Sequence, residues 1–181
     1  YEPAVYLAGQ SYTLAQGLLT TGKLPGKKPA DVEKLAKDLC DKALNSYKKY
    51  LDFAAKNPAV EEEDIALRTN LQGAVFLARN TLYVGAKEWD QVVKSADAYI
   101  AWEQQLPQAL PTSSIDVALL NKFRALIELT GPPNFVPKCD PFLKEAEKVM
   151  NELSKIKSKD KKLQLYMLSV LSDRNNLAAF Q

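Results

Sequence analysis

The chain has 181 residues, 46% of them hydrophobic and 25% charged, with a formal net charge of +2. That is the size and balance of one ordinary globular domain with room for a core, and the near-neutral charge argues against nucleic acid as the default partner. Histidine is absent, which excludes Ser-His-Asp and Cys-His catalysis, the Glu-x-x-His di-iron motif and the commonest metal ligand.

The chain opens on Tyr1-Glu2-Pro3 without a methionine and reads as a processed or truncated product. No signal peptide is visible, and no apolar run approaches the ~18–20 residues of a membrane span. Residues 1–30 are mixed. Tyr6, Leu14, Leu18 and Leu19 suit a short helix, but Gly9, Gly17 and Gly22 argue for an irregular basic arm carrying Lys23, Lys27 and Lys28.

From Asp31 the pattern turns helical. Val32, Leu35, Leu39, Ala43, Tyr47 and Leu51 recur at steps of three and four, between an N-cap at Asp31 and a stop at Asn57-Pro58. A second helix follows, its start crowded with Glu61, Glu62, Glu63 and Asp64, where the macrodipole favours carboxylates. Ile65, Leu71, Val75, Ala78 and Leu82 form its apolar face, and Gly85 reads as its stop. The third helix carries Trp89, Val92, Val93, Ala96, Tyr99 and Ile100 and ends at Pro107. The fourth opens on Ser113-x-x-Asp116, which resembles a capping box, and stops at Gly131-Pro132-Pro133. Residues 131–139 are a Pro-rich connector. A fifth helix starts at Asp140-Pro141, and a sixth is expected around Lys161–Ser172.

No segment alternates as a half-buried strand does, and the short connections favour antiparallel neighbours. The expected fold is therefore all-α: an up-and-down helical bundle with a four-helix unit at 31–130, a helical pair at 140–173 and the irregular arm at 1–30. Helix-pair spacing is irregular and the tetratricopeptide aromatic and glycine positions are missing, so a solenoid is the lesser alternative.

The chemistry on offer is sparse. Cys40 and Cys139 have no zinc spacing. They either bridge, closing a loop of about 100 residues worth ~4–5 kcal/mol, or stay as two buried thiols. No phosphate loop is present. The acidic run Glu61–Asp64 lacks the alternation and glycine of a calcium loop and reads as a helix start. No cofactor, metal or catalytic residue is expected, and the chain reads as non-enzymatic.

Two basic segments remain: the arm lysines, and Lys155, Lys157, Lys159, Lys161 and Lys162 in KIKSKDKK. They read either as solvated connections or as electrostatic docking sites for an acidic protein or anionic lipid surface. Only Arg68, Arg79, Arg124 and Arg174 are arginines, which suits loose docking better than bidentate recognition. Trp89 falls on the apolar stripe. Trp102 falls partly off it, as a core-edge residue or an interface anchor.

The segment AKEWDQVVKSADAYI, residues 86–100, together with a histidine-free helical bundle entered through a Pro- and Gly-containing basic arm, resembles the PsbQ family of extrinsic proteins on the lumenal side of photosystem II. The resemblance implies a non-enzymatic accessory subunit in the thylakoid lumen, peripheral to the membrane. It would dock on photosystem or antenna subunits through the arm and the lysine-rich turn, and would stabilise the complex. A removed transit peptide and a disulfide would fit that location. The competing expectations are a tetratricopeptide-like adaptor, soluble in the cytoplasm or an organelle, that binds a peptide in a groove, and a bundle that carries an apolar ligand in a cavity.

Overall fold

The computed structural model describes residues 2–107, 110, 113–130 and 140–156. Among these the protein is all-helical, with α1 Glu2–Thr21, α2 Pro29–Lys56, α3 Glu62–Ala86, α4 Trp89–Gln104, α5 Ile115–Thr130 and α6 Asp140–Leu153. The connector at 131–139 and the helix expected at Lys161–Ser172 lie outside the described residues.

Successive helices run antiparallel. Gly73 and Asn80 of α3 meet Trp102 and Ser95 of α4. Tyr99 near the end of α4 meets Ser114 just before α5, while Arg124 near the end of α5 lies 5.5 Å over the ring of Trp89 at the start of α4. Lys122 of α5 pairs with Glu145 of α6. The up-and-down order expected from the short connections is therefore observed.

The packing is that of a layered stack. Each helix packs on its neighbours in sequence, and the odd-numbered helices also touch one another, α1 on α3 and α3 on α5. Helices α2 and α5 share no substantial face, so residues 31–130 belong to a longer stack and do not close into a four-helix unit of their own. The buried side chains divide accordingly. One cluster joins α1, α2 and α3 through Ala15, Ala43, Tyr47 and Leu82; a second joins α5 and α6 through Leu120, Leu126, Val149 and Leu153. A smaller one around Ala96, Tyr99 and Ala118 connects them.

The irregular arm expected at residues 1–30 is corrected. Residues 2–21 form α1, and only the segment from Gly22 to Lys28 is irregular. The glycines mislead because helix propensity is a local quantity, and here tertiary packing overrides it. Ala8 and Ala15 are buried against α2 and α3, and Val5, Tyr12 and Leu19 pack beside them. Of the three glycines only Gly22 punctuates. It takes φ 61°, and its N–H donates to the carbonyl of Leu18 at 2.8 Å, closing the helix.

Helix α3 shows a similar exchange of roles. Gly85 does not stop it; the left-handed residue is Lys87, at φ 58°. Gly85 sits inside the helix where Leu19 of α1 closes in, and a β-carbon there would lie 3.0 Å from Leu19 Cδ1. At the start of α5, the residue whose carbonyl opens the helix is Ser114, one beyond the expected Ser113.

Candidate functional site

The parallel arrangement of α1 and α3 builds a groove. Leu19 meets Gly85 at one end, and Gln16 Nε2 donates to the Thr81 carbonyl one turn lower, at 3.5 Å. Below that contact the two helices diverge. The space between them has a volume of about 390 Å³, with Tyr47 of α2 among the lining side chains.

Both walls follow the helical period. From α1 come Val5, Gly9 and Tyr12; from α3 come Leu71, Ala74 and Ala78, then Thr81. These positions repeat at alternating steps of four and three, the spacing of a seam that accepts another helix, and Val75 and Leu77 of α3 line the space between them. Small residues at Gly9, Ala74 and Ala78 keep the surface low, so a ligand's backbone can approach. The volume lies at the lower end for small-molecule pockets, but the space is an open trough whose Ala74 is exposed to solvent. It does not enclose a ligand as a carrier's cavity does.

The α3 stripe continues beyond the groove through Leu67 and Asp64, both exposed, to the acidic turn Glu61–Asp64. Arg68, the nearest cation on α3, is turned towards α2. Its Nη1 donates to the Asn57 carbonyl at 2.8 Å, and its guanidinium lies 5.9 Å from the Phe53 ring centre. At the other end Lys23 follows α1 and Lys87 follows α3, with Glu88 beside the latter; all three are exposed. Burial pushes the pKa of the Tyr47 phenol up to about 12, with Tyr12 adding to the shift, so Tyr47 presents a neutral hydroxyl at neutral pH.

Polar ties hold the rest of the scaffold. Asn80, buried in α3, donates to the Val92 carbonyl at 3.0 Å and to Ser95 Oγ at 2.8 Å. Lys122, buried in α5, pairs with Asp97 at 2.8 Å and Glu145 at 2.7 Å. Burial works against its charge, yet the hydrogen bonds to Asp97 and Glu145 prevail and raise its pKa above the ordinary value. The hydrogen bond from Lys122 in turn holds the Glu145 carboxyl below the usual range. The Tyr99 phenol is raised by burial and by its hydrogen bond to Glu103.

The described lysines among those singled out from sequence do not form one surface. Lys23, Lys27 and Lys28 are exposed in the α1–α2 connection. Lys155, also exposed, follows α6 at the opposite end of the stack, because the helices alternate in direction. Lys157, Lys159, Lys161 and Lys162 lie outside the described residues. Trp102 is half-buried, and its ring lies 5.2 Å from Phe76 and 6.0 Å from Tyr99 by centroids, with Gly73 beneath it. The core-edge reading describes it, and the ring is engaged within the protein. Cys40 is a buried free thiol in the first cluster, its pKa raised by burial and by Asp41 and Glu88; Cys139 lies outside the described residues.

Among the described residues no group of three or more His, Cys, Asp and Glu comes together to hold a metal, and no helix is long and apolar enough to cross a membrane. The groove residues do not stand out in the sequence. Gly9 reads there as a helix breaker, and Leu71 and Ala78 as parts of a single buried face. The usable signal is the extra apolar width of α3, where Leu67, Leu71 and Ala74 lie to one side of the face that buries Val75 and Leu82. Compared with known proteins, the chain matches no family model, no curated protein and no solved structure.

Proposed function

We propose that this protein is a non-catalytic binding module that receives a segment of a partner protein in the groove between α1 and α3. One observation carries the reading: two parallel helices present an open, apolar trough with a periodic floor of small residues, supported from behind by the buried face of α2. Such a surface binds by shape and apolar burial, at roughly 25 cal/mol per Å² of apolar area covered before the costs of association. Its lining holds no thiol, carboxylate or amine, and its only polar side chains are the hydroxyls of Tyr12, Tyr47 and Thr81. Of the sequence-level expectations it is closest to the peptide-binding adaptor.

The test is selection of binding peptides from a random display library on the intact protein. Each enriched peptide is then measured against Ala74→Phe, which fills the trough from an exposed position. Enriched peptides that lose at least about tenfold in affinity for Ala74→Phe support the reading. Failure to enrich, or equal binding to both proteins, overturns it.

The extrinsic photosystem subunit is a second reading. Its support is the likeness at residues 86–100 and the exposed Lys23, Lys27 and Lys28. It expects release from thylakoid membranes by a graded salt wash and co-purification with a photosystem at low salt. A protein already free at low salt sinks it.

A further inference from the structure

The two ends of the groove carry opposite charge. Glu61, Glu62, Glu63 and Asp64 stand where α3 begins, and Asp64 lies on the groove stripe itself, one turn below Leu67. At the other end stand Lys23 and Lys87, with Lys27 and Lys28 nearby; the opposing charges are Glu88, Asp31 and Asp90 at this end and Lys56 and Arg68 at the acidic one, which leaves the lysine end positive and the acidic end negative. The backbone dipoles are ordered as well, since α1 and α3 both point their C-termini towards the lysine end.

The walls decide the form of the occupant. An extended peptide needs unpaired backbone groups on its host, as a sheet edge supplies. Groove walls made of helices have already used theirs internally. An occupying helix satisfies its own backbone, and seven-residue periodicity on both walls is what such a helix fits.

We infer that the occupant is an amphipathic α-helix of a partner protein, lying antiparallel to α1 and α3, with acidic residues in its first turn and lysines or arginines in its last. Leu19 and Gly85 close the groove at the lysine end, so its N-terminus passes over their contact towards Lys23 and Lys87. Its basic last turn meets Glu61–Asp64. Helices favour this charge order on their own account, because it complements their macrodipole. The helix–helix orientation and the side-chain charges therefore select the same direction. The groove floor from Leu71 to Thr81 is about 15 Å long, and Asp64 and Lys87 lie about 10 Å beyond its two ends, so an occupant that meets both is about 35 Å long, roughly six turns.

This inference rests on the groove reading above, and the experiment separates the two. Two synthetic peptides share one leucine stripe and one composition. The first carries glutamates at its start and lysines at its end; the second has these exchanged. Both are locked helical by a side-chain staple on the solvent face, so that helicity is equal. Binding to the full chain is read by fluorescence anisotropy, for the natural protein, for Ala74→Phe, and for the triple variant Glu62→Gln, Glu63→Gln, Asp64→Asn, whose residues are all exposed. The expected result is about tenfold tighter binding of the first peptide at low salt, shrinking to about twofold in 1 M salt. The triple variant loses most of that preference without weakening the second peptide.

Equal binding of both peptides, or a preference for the second, overturns the orientation and leaves the groove standing. Failure of both to bind, or undiminished binding by Ala74→Phe, overturns the groove with it. A dimer in sedimentation that Ala74→Phe abolishes makes a second copy of this chain the occupant and overturns the partner helix.

Discussion

Asn80 of α3 accepts a hydrogen bond of 2.7 Å from Asn121 Nδ2 of α5, while its own amide nitrogen is shared between the Val92 carbonyl and Ser95 of α4. One buried side chain thus fixes three helices in register. Apolar packing alone leaves that register loosely specified, because hydrophobic contact has no direction.

Replacement of Asn80 by alanine is expected to cost about 2–4 kcal/mol, since it removes the donor to the Val92 carbonyl and Ser95 and the acceptor of Asn121, and leaves a small void. Asn121→Ala is expected to cost about 1 kcal/mol, because Asn121 is only half-buried and water can replace it as a partner. Urea unfolding of the two variants measures both, and the order of the two costs is the informative result.

The Lys122 cluster predicts a pH dependence. The folded-state pKa of Glu145 lies below its ordinary 4.5, so the unfolded chain binds the proton more readily. Its contribution is present above that value and is lost as pH falls further, through the folded pKa. The folded-state pKa of Lys122 lies above 10.5, so its contribution is complete below that value and is lost as pH rises through the folded pKa. Denaturation midpoints across pH should show both shoulders for the natural protein. Glu145→Gln should flatten the acid one, and Lys122→Met should flatten both.

The glycines of α1 should answer in opposite senses. Gly17 lies inside α1, about one turn before its end, and a β-carbon added there would meet nothing within 4 Å, so Gly17→Ala should stabilise by about 0.5–1 kcal/mol. Gly22 holds φ 61°, so Gly22→Ala should destabilise by about 1 kcal/mol. Thermal unfolding reads the two shifts. The same sign for both would contradict the helix boundary at Thr21.

The phenol of Tyr47, raised to about 12, should ionise well after exposed tyrosines in an alkaline absorbance titration. A peptide seated in the groove should delay it further, by deepening its burial. Tyr47→Phe removes that step and identifies it.

Leucine, valine and alanine at steps of three and four determined that the chain is helical, and the acidic start of α3 announced that end well, because the dipole acts over one turn; α2 instead begins at Pro29 with Lys28 as its cap, and the expected cap Asp31 lies in its first turn. The absence of histidine likewise decided the chemistry that is missing. The tertiary structure alone decided what the glycines are for. Gly85 meets Leu19 of another helix and Gly9 lines the groove, and no local propensity records that. It also decided that the helices stack and do not close, since the same apolar stripe serves either arrangement. The difference lies in which neighbour covers it. On α3 one stripe is covered by α1, α2 and α4. The adjacent one, from Leu67 through Ala74 to Ala78, is left open beside α1 as the groove.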